Sequence, residues 1–200
     1  MRTRTGSHRE VELSAAERVP VRTVFLVGFM GAGKSSVGRA LSLRLGWGFE
    51  DLDDRIQARE RRSVGQIFRE SGETGFRRAE ADALRELVGE LGSYPRVIGL
   101  GGGAFVQPEN AALLTRTQAP IIFLDASVDE LFRRCQQEKV ERPLRQDREQ
   151  FRQLYEARRP HYVAGTVRVE TTGKSVDVVA AEVTRVLGIR EDTGTEGVET

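Results

Sequence analysis

One short run of residues limits most strongly what this chain can fold into. Residues 28–35 read Gly-Phe-Met-Gly-Ala-Gly-Lys-Ser and fit the pattern G-x-x-x-x-G-K-[ST], between a strand predicted over 23–27 and a helix predicted over 34–45. Glycines let such a turn point its backbone N–H groups inward, and the helix N-terminus adds its positive dipole end. The run therefore predicts a nucleoside triphosphate site, with Lys34 on the β and γ phosphates and Ser35 on Mg²⁺. The expected phosphate-binding residues are Gly31, Ala32, Gly33, Lys34, Ser35 and Ser36.

The rest of the chain alternates between apolar strand candidates and amphipathic helix candidates. Further strands are predicted around Phe49 and over 96–100, 121–124 and 167–170. Further helices are predicted over 63–70, 73–91, 108–114, 129–135, 148–159 and 176–187. Strands separated by helices describe βαβ units, so we expect an α/β fold: a three-layer sandwich with a central parallel sheet. Ligands in such folds bind at the carboxyl ends of the strands.

Composition excludes several classes of protein. The chain has 31 Lys and Arg against 30 Asp and Glu, a net charge of +1, which gives no basic excess for nucleic acid or a membrane surface. The mean hydropathy is −0.41, and no apolar run approaches the about 18 residues of a transmembrane helix. One cysteine and two histidines exclude a disulfide framework and a standard structural zinc site. We expect a cytoplasmic protein without nucleic-acid or membrane partners.

Three segments are predicted along the chain. Residues 1–20 lack apolar periodicity and end at a proline, which indicates a flexible N-terminal extension. Residues 189–200 are mostly Gly, Thr and Glu and cannot bury enough apolar surface to become ordered, so we expect a disordered acidic tail. The segment between them, 21–188, is predicted to form a single domain.

An acidic cluster follows the second strand candidate: residues 50–54 read Glu-Asp-Leu-Asp-Asp. Alone, such a run is as consistent with a solvated turn as with function. Beside a phosphate loop a functional interpretation of this run is favoured, because phosphoryl transfer needs a Mg²⁺ ligand and a group that orients or deprotonates the attacking hydroxyl. Carboxylates two residues apart at an extended strand end project to the same side. Asp51 and Asp53 are therefore expected to serve one site.

Several separate stretches, in order and spacing, resemble the shikimate kinase family, small P-loop kinases with a nucleoside monophosphate kinase-like fold. They are GFMGAGKSSVGRAL, DLDD, SVGQIF, GETGFRRAE, LGGGA, ERPL and RRPHY, and the resemblance spans about residues 22–187. It implies ATP-dependent phosphorylation of the 3-hydroxyl of shikimate, with Mg²⁺, in the synthesis of chorismate and aromatic amino acids. We also expect a monomer.

The resemblance implies which residues bind the acceptor. Asp53 would contact the substrate hydroxyls and act as the base, while Asp51 would help Ser35 to hold Mg²⁺. Arg77 and Arg158 would bind the shikimate carboxylate, a task that suits the planar, bidentate guanidinium. Glu80 and Glu73 would orient the first of these arginines. A triple glycine after a strand permits close backbone approach to a ligand, and Gly101, Gly102 and Gly103 would pack against the substrate ring.

The resemblance also implies how the nucleotide is held. Arg142 would close onto the ATP phosphates from a mobile lid over about 136–147, and would act with Lys34 and Asp53 in catalysis. The family often has an arginine near the last strand that stacks on adenine. Here the nearest match is Lys174, which lacks a planar guanidinium, so Arg134 is the alternative stacking surface.

Two other functions remain open from the sequence. One is a P-loop kinase for another small polyhydroxy acid such as gluconate, which gives no reason for both Arg77 and Arg158. The other is a regulatory module that binds ATP without transferring phosphate, which leaves Asp53 and the triple glycine unexplained.

Overall fold

The fold is built around a five-stranded parallel sheet. The structure, a computed structural model, describes residues 21–137, 147–164 and 166–189. The strands are β1 Thr23–Val27, β2 Gly48–Asp51, β3 Arg96–Gly99, β4 Ile121–Asp125 and β5 Val167–Glu170. Their order across the sheet is β2-β3-β1-β4-β5, and every neighbouring pair is parallel. In this register Leu26 lies opposite Gly99 on one side and Ile122 on the other.

Helices cover both faces of the sheet. They are α1 Lys34–Leu45, α2 Leu52–Glu60, α3 Val64–Gly89, α4 Pro108–Arg116, α5 Val128–Gln137, α6 Arg148–Val163 and α7 Val176–Leu187, with a 3₁₀ helix over Ala104–Val106. Every residue of β1, β3 and β4 is buried. Successive strand side chains point to opposite faces, so burial of all of them requires a layer on each side. The predicted three-layer α/β fold is confirmed.

Local signals explain where several elements begin and end. Gly46, with φ 64°, caps α1 at its C-terminus where the sequence places that end. Ser63 and Gln66 form a capping box at the start of α3. The helices predicted over 63–70 and 73–91 are joined in α3, which has a kink at Gly72 (φ 65°, ψ −174°).

Other boundaries differ from the prediction. Helix α2 is not predicted, because its sequence LDDRIQARE reads as an acidic turn and only Leu52 and Ile56 are buried in it. Strand β3 ends at Gly99 rather than 100. Helix α6 continues through Pro160 to Val163 instead of ending at 159, because the buried Tyr162 keeps the last turn packed against the core.

Some predicted segments lie outside the described residues. These are the N-terminal extension, 1–20, residues 190–200 of the predicted tail, and 138–146 of the predicted lid. Of the lid, residues 136 and 137 belong to the end of α5, and Asp147 is the N-cap of α6. Among the described helices, none combines the length and the apolar character that a membrane crossing needs.

Candidate active site

The phosphate loop joins β1 to α1 at the carboxyl edge of the sheet. Gly31 has φ 79°, and a Cβ there would lie 2.6 Å from the backbone oxygen of Leu131. Both facts require glycine at this position, as the sequence pattern indicates. The Lys34 ammonium donates hydrogen bonds to the backbone oxygens of Gly28 (3.0 Å) and Phe29 (3.1 Å). The predicted phosphate-binding lysine is thus held across the loop.

The two predicted metal-binding residues meet at the mouth of this loop. Ser35, in the first turn of α1, donates a hydrogen bond from its hydroxyl to Asp51 Oδ2 at 2.6 Å. Asp51 is the last residue of β2. A hydroxyl and a carboxylate are hard oxygen donors, and Mg²⁺ is usually held by one or two carboxylates together with waters and substrate phosphates. The pair therefore fits a hydrated magnesium ion.

Asp53 lies in the first turn of α2 rather than on an extended strand end, so the spacing argument that pairs it with Asp51 is wrong. The Asp51 carboxylate is the N-cap of this helix and accepts a hydrogen bond from the Asp53 backbone N–H at 3.0 Å. Asp53 is nevertheless directed at the triple glycine, since its Oδ1 lies 2.9 Å from the position of a Cβ at Gly101. Helix geometry, and not strand alternation, brings it there.

The predicted arginine of α3 lies directly on the triple glycine. A Cβ at Gly103 would lie 2.5 Å from Arg77 Nη1, so this guanidinium packs against the bare backbone of the glycine. Arg77 donates to Glu80 at 2.8 Å and to Glu73 at 3.2 Å. The Glu80 side chain is 1% exposed while that of Glu73 is 68% exposed, so one partner is fixed in the interior and the other faces water.

Burial sets the protonation behaviour of this pair. Burial raises the pKa of the Glu80 carboxyl, and the Arg77 guanidinium works in the opposite direction. For Arg77, burial is the largest cause and works to lower the pKa, but the Glu80 and Glu73 carboxylates together outweigh it and the pKa is raised. Within the described part of the chain, Glu80 Oε1 has no hydrogen-bond partner, and it lies 3.1 Å from the position of a Cβ at Gly101. The guanidinium therefore stays charged beside a buried acceptor.

The second predicted arginine approaches the triple glycine from α6. Arg158 Nη1 donates to the backbone oxygen of Gly102 at 3.4 Å, and its guanidinium lies 6.0 Å from the centre of the Phe29 ring. The Tyr162 hydroxyl donates to the same Gly102 oxygen. Burial raises the pKa of Tyr162 to about 12, which keeps it a donor. The sequence does not predict this role for Tyr162, although the residue belongs to the RRPHY stretch.

The triple glycine also contacts the phosphate loop. A Cβ at Gly102 would lie 3.6 Å from the backbone nitrogen of Met30 and 3.7 Å from the oxygen of Gly28. Asp53, Arg77 and Arg158 therefore converge on a loop that abuts the phosphate-binding turn. The structure brings all the predicted acceptor residues to one place.

Six of the predicted nucleotide residues line a cavity of about 590 Å³, while Lys34 and Ser35 are not part of its lining. Arg134 is fixed in it by Glu130, which accepts from Nε at 2.8 Å, and by Thr171, whose backbone oxygen accepts from Nη2 at 2.8 Å. Lys174 is paired with Glu182 at 2.6 Å. The cavity lining includes Gly31, Ala32, Gly33, Ser36, Arg134 and Lys174.

Two of the residues that hold this cavity together are not predicted from the sequence. Glu130 binds both Arg133 and Arg134, and Arg133 is the first cause of a Glu130 pKa lowered to about 2. Glu130 lies four residues before Arg134 on the same helix, and this spacing is the sequence pattern from which the ion pair can be predicted. Thr171 is distant in sequence from Arg134 and carries no such signal. Arg142 lies outside the described residues.

A chain that cradles phosphates at the edge of a parallel sheet, and gathers arginines on the adjoining loop, is suited to phosphoryl transfer to a small anionic molecule. The fold and the site define a P-loop kinase. A family model described as shikimate kinase matches residues 30–188. The chain belongs to the shikimate kinase family, and it is an ATP-dependent kinase.

Relatives and solved structures agree with this assignment. A shikimate kinase from Geobacter metallireducens is 42% identical over 169 residues, covering 84% of this chain and 92% of the relative. One from Thermus thermophilus is 43% identical over 172 residues, covering 84% and 91%. The structure of Acinetobacter baumannii shikimate kinase in complex with shikimate has a TM-score of 0.76 and 31% identity, covering 84% of this chain and 94% of that chain.

Proposed function

We propose that the site transfers the γ-phosphoryl group of ATP to the 3-hydroxyl of shikimate, giving shikimate 3-phosphate and ADP. One observation carries the proposal: Asp53, Arg77 and Arg158 approach the triple glycine from different elements, and that loop abuts the phosphate loop. An acceptor bound there lies next to the nucleotide phosphates. The shikimate complex of the Acinetobacter baumannii relative supports the choice of acceptor.

On the acceptor side, the two guanidiniums would bind the shikimate carboxylate with charge-assisted hydrogen bonds. Arg77 is held by the buried Glu80, and Arg158 is held beside Gly102, so both are pre-oriented. Asp53 would hold the attacking hydroxyl and accept its proton as the bond to phosphorus forms. Gly101–Gly103 would leave room for the substrate ring.

On the nucleotide side, inward N–H groups of residues 31–36 and the Lys34 ammonium would stabilise the charge on the transferring group. Ser35 and Asp51 would hold Mg²⁺, which neutralises charge on the phosphate oxygens. The flat guanidinium of Arg134, fixed by Glu130 and Thr171, offers a better stacking surface for the base than Lys174, whose ammonium is paired with Glu182. The roles of Arg142 and of a lid over 136–147 stay predictions.

A coupled assay of ADP release tests the proposal. Protein is supplied with ATP and Mg²⁺ and with shikimate, gluconate or no acceptor. Release that depends on shikimate alone is expected, because the Acinetobacter baumannii relative binds shikimate. Release with gluconate would favour the other acceptor class, while ATP binding without any release would favour the regulatory module. Omission of Mg²⁺ and addition of a chelator should stop release.

A further inference from the structure

A buried carboxylate at the end of β4 has no role in the proposed chemistry. Asp125, the last residue of β4, is 2% exposed. Its Oδ2 accepts hydrogen bonds from Arg159 at 2.7 Å and from Arg168 at 2.8 Å. Its Oδ1 accepts one from the Tyr155 hydroxyl at 3.2 Å. Since two guanidiniums share this carboxylate, it remains paired when either arginine is removed.

Helix α6 is also held to the core by aromatic rings. Of its 16 residues, Phe151 and Tyr162 are the buried ones. The Phe151 ring packs at 5.0 Å from that of Phe29, and the Tyr162 ring stacks at 5.3 Å from that of Phe123. The Tyr155 ring also packs at 5.6 Å from that of Phe29. The contact with Asp125 adds an ion pair to a buried carboxylate to these ring contacts.

The two sides of α6 have different partners. Tyr155 and Arg159, one turn apart, face Asp125, and Arg159 also donates from Nε to the Tyr155 hydroxyl at 3.0 Å. Arg158 and Tyr162, also one turn apart, face Gly102. Neighbouring residues are separated by about 100° around a helix axis. Fixing the side of Arg159 therefore fixes the direction of Arg158.

We propose that Arg159 is a positioning residue: its ion pair with Asp125 sets the rotation of α6 and so places the Arg158 guanidinium against Gly102. The inference rests on the proposed role of Arg158 in binding the acceptor carboxylate. A rotation of about 20° moves a group about 6 Å from the helix axis by about 2 Å. That displacement exceeds the range of a hydrogen bond, so loss of the pair weakens acceptor binding without touching the nucleotide cavity.

The chain offers a matched pair of variants. Arg159→Gln and Arg168→Gln each remove one guanidinium from the same carboxylate oxygen, but only Arg159 belongs to α6. Steady-state kinetics should show a KM for shikimate raised about tenfold in Arg159→Gln, with the KM for ATP changed less than about twofold. Arg168→Gln should leave both values near those of the unaltered protein. Equal effects of the two variants on the KM for shikimate would overturn the inference.

A double-mutant cycle separates positioning from a general loss of structure. If Arg159 acts through Arg158, then adding Arg159→Gln to Arg158→Ala should raise the KM for shikimate no further. Additive effects would overturn the positioning role. If Arg158→Ala alone left the KM for shikimate unchanged, the proposed role of Arg158 would be wrong, and that failure is distinct from a failure of Arg159.

Thermal denaturation shows whether Arg159→Gln is folded. If it is not, two more variants still test the inference. Arg159→Lys keeps the charge opposite Asp125 and should recover part of the affinity for shikimate. Tyr155→Phe removes the hydroxyl that Arg159 also contacts and should raise the KM for shikimate to a smaller extent. If Arg159→Lys raised the KM for shikimate as far as Arg158→Ala does, and Tyr155→Phe left it unchanged, Arg159 would have no positioning role.

Discussion

Two carboxylates of the acidic cluster, Asp51 and Asp53, have different contacts. Asp51 is engaged by the Ser35 hydroxyl on one oxygen and by the N-terminus of α2 on the other. Asp53, two residues further along the chain, points its Oδ1 toward Gly101. Under the proposed function, Asp51 would help to hold the metal, and Asp53, beside the triple glycine, would accept the proton.

This division predicts different outcomes for adjacent substitutions. Asp53→Asn should lower kcat by about 10²–10⁴, the usual contribution of a general base, because an amide oxygen cannot take the proton of the attacking hydroxyl. Asp54→Asn, at the exposed next position, is the matched control and should change kcat less than about twofold. The ADP-release assay measures both. An Asp53→Asn enzyme with an unaltered kcat would exclude Asp53 as the base.

Glu80 predicts a pH dependence of stability. Burial raises the pKa of this carboxyl above its ordinary value of 4.5 in the folded chain. The folded state therefore binds the proton more readily than the unfolded chain, so this stabilising contribution is present in acid and is lost as the pH rises through the raised pKa. The Tm of the unaltered protein minus that of Glu80→Gln should fall as the pH rises from about 4.

Thermal denaturation across a pH series measures this difference in Tm. Glu73→Gln, which removes the exposed partner of the same arginine, controls for the loss of an ion pair to Arg77. The opposite trend, in which the Tm of the unaltered protein minus that of Glu80→Gln rises with the pH, would contradict the raised pKa of Glu80.

At the scale of elements, the sequence predicts best where one residue type decides the boundary. Gly46 and Gly188 end α1 and α7 with positive φ, and both helices have the predicted bounds. Helix α2 is not predicted, because it buries little apolar surface and begins within the acidic cluster. The position of Asp53 is predicted wrongly for the same reason, because strand alternation does not apply to the first turn of a helix.

The kink of α3 predicts opposite effects for two glycines of the same helix. Gly72 has φ 65° and ψ −174°, a region that only glycine enters readily, so Gly72→Ala should destabilise the protein by about 1–3 kcal/mol. Gly89→Ala, in the last helical turn, should stabilise it by about 0.5–1 kcal/mol. A Cβ meets no atom within 4 Å at either position, so backbone conformation alone separates them. Denaturant unfolding gives both values, and a stabilised Gly72→Ala would exclude a glycine-specific kink.

At the scale of the whole molecule, the strand order places the site. Strand β1 lies between β3 and β4, so the phosphate loop after β1 is next to the triple glycine after β3. Asp125, which ends β4, lies on the other side. The sequence predicts the strands and the motifs that follow them, but strand pairing joins residues far apart in the chain and leaves no local pattern. The contacts of Arg134 with Thr171 and of Arg159 with Asp125 are unpredicted for the same reason.

The phosphate loop and the triple glycine follow different strands of the same sheet. The nucleotide side and the acceptor side of the site should therefore each bind their ligand in the absence of the other. A ligand at 100 times its Kd stabilises the folded state by about 2.7 kcal/mol, so ATP and shikimate should each raise the Tm of the unaltered protein. Lys34→Ala should abolish the rise with ATP and keep the rise with shikimate. Arg77→Ala should do the reverse, and Arg78→Ala, at an exposed position of the same helix, should keep both.

Thermal shift measurements with each ligand alone test whether ATP and shikimate bind independently. We expect shikimate to bind without nucleotide, because Arg77 and Arg158 are already held by Glu80 and Gly102. Such binding would exclude an acceptor site that forms only after ATP has bound. A folded Lys34→Ala protein that responded to neither ligand would show instead that the phosphate loop assembles the acceptor site. The contact of Gly102 with Met30 and Gly28 would then transmit that assembly, since it is where the two loops touch.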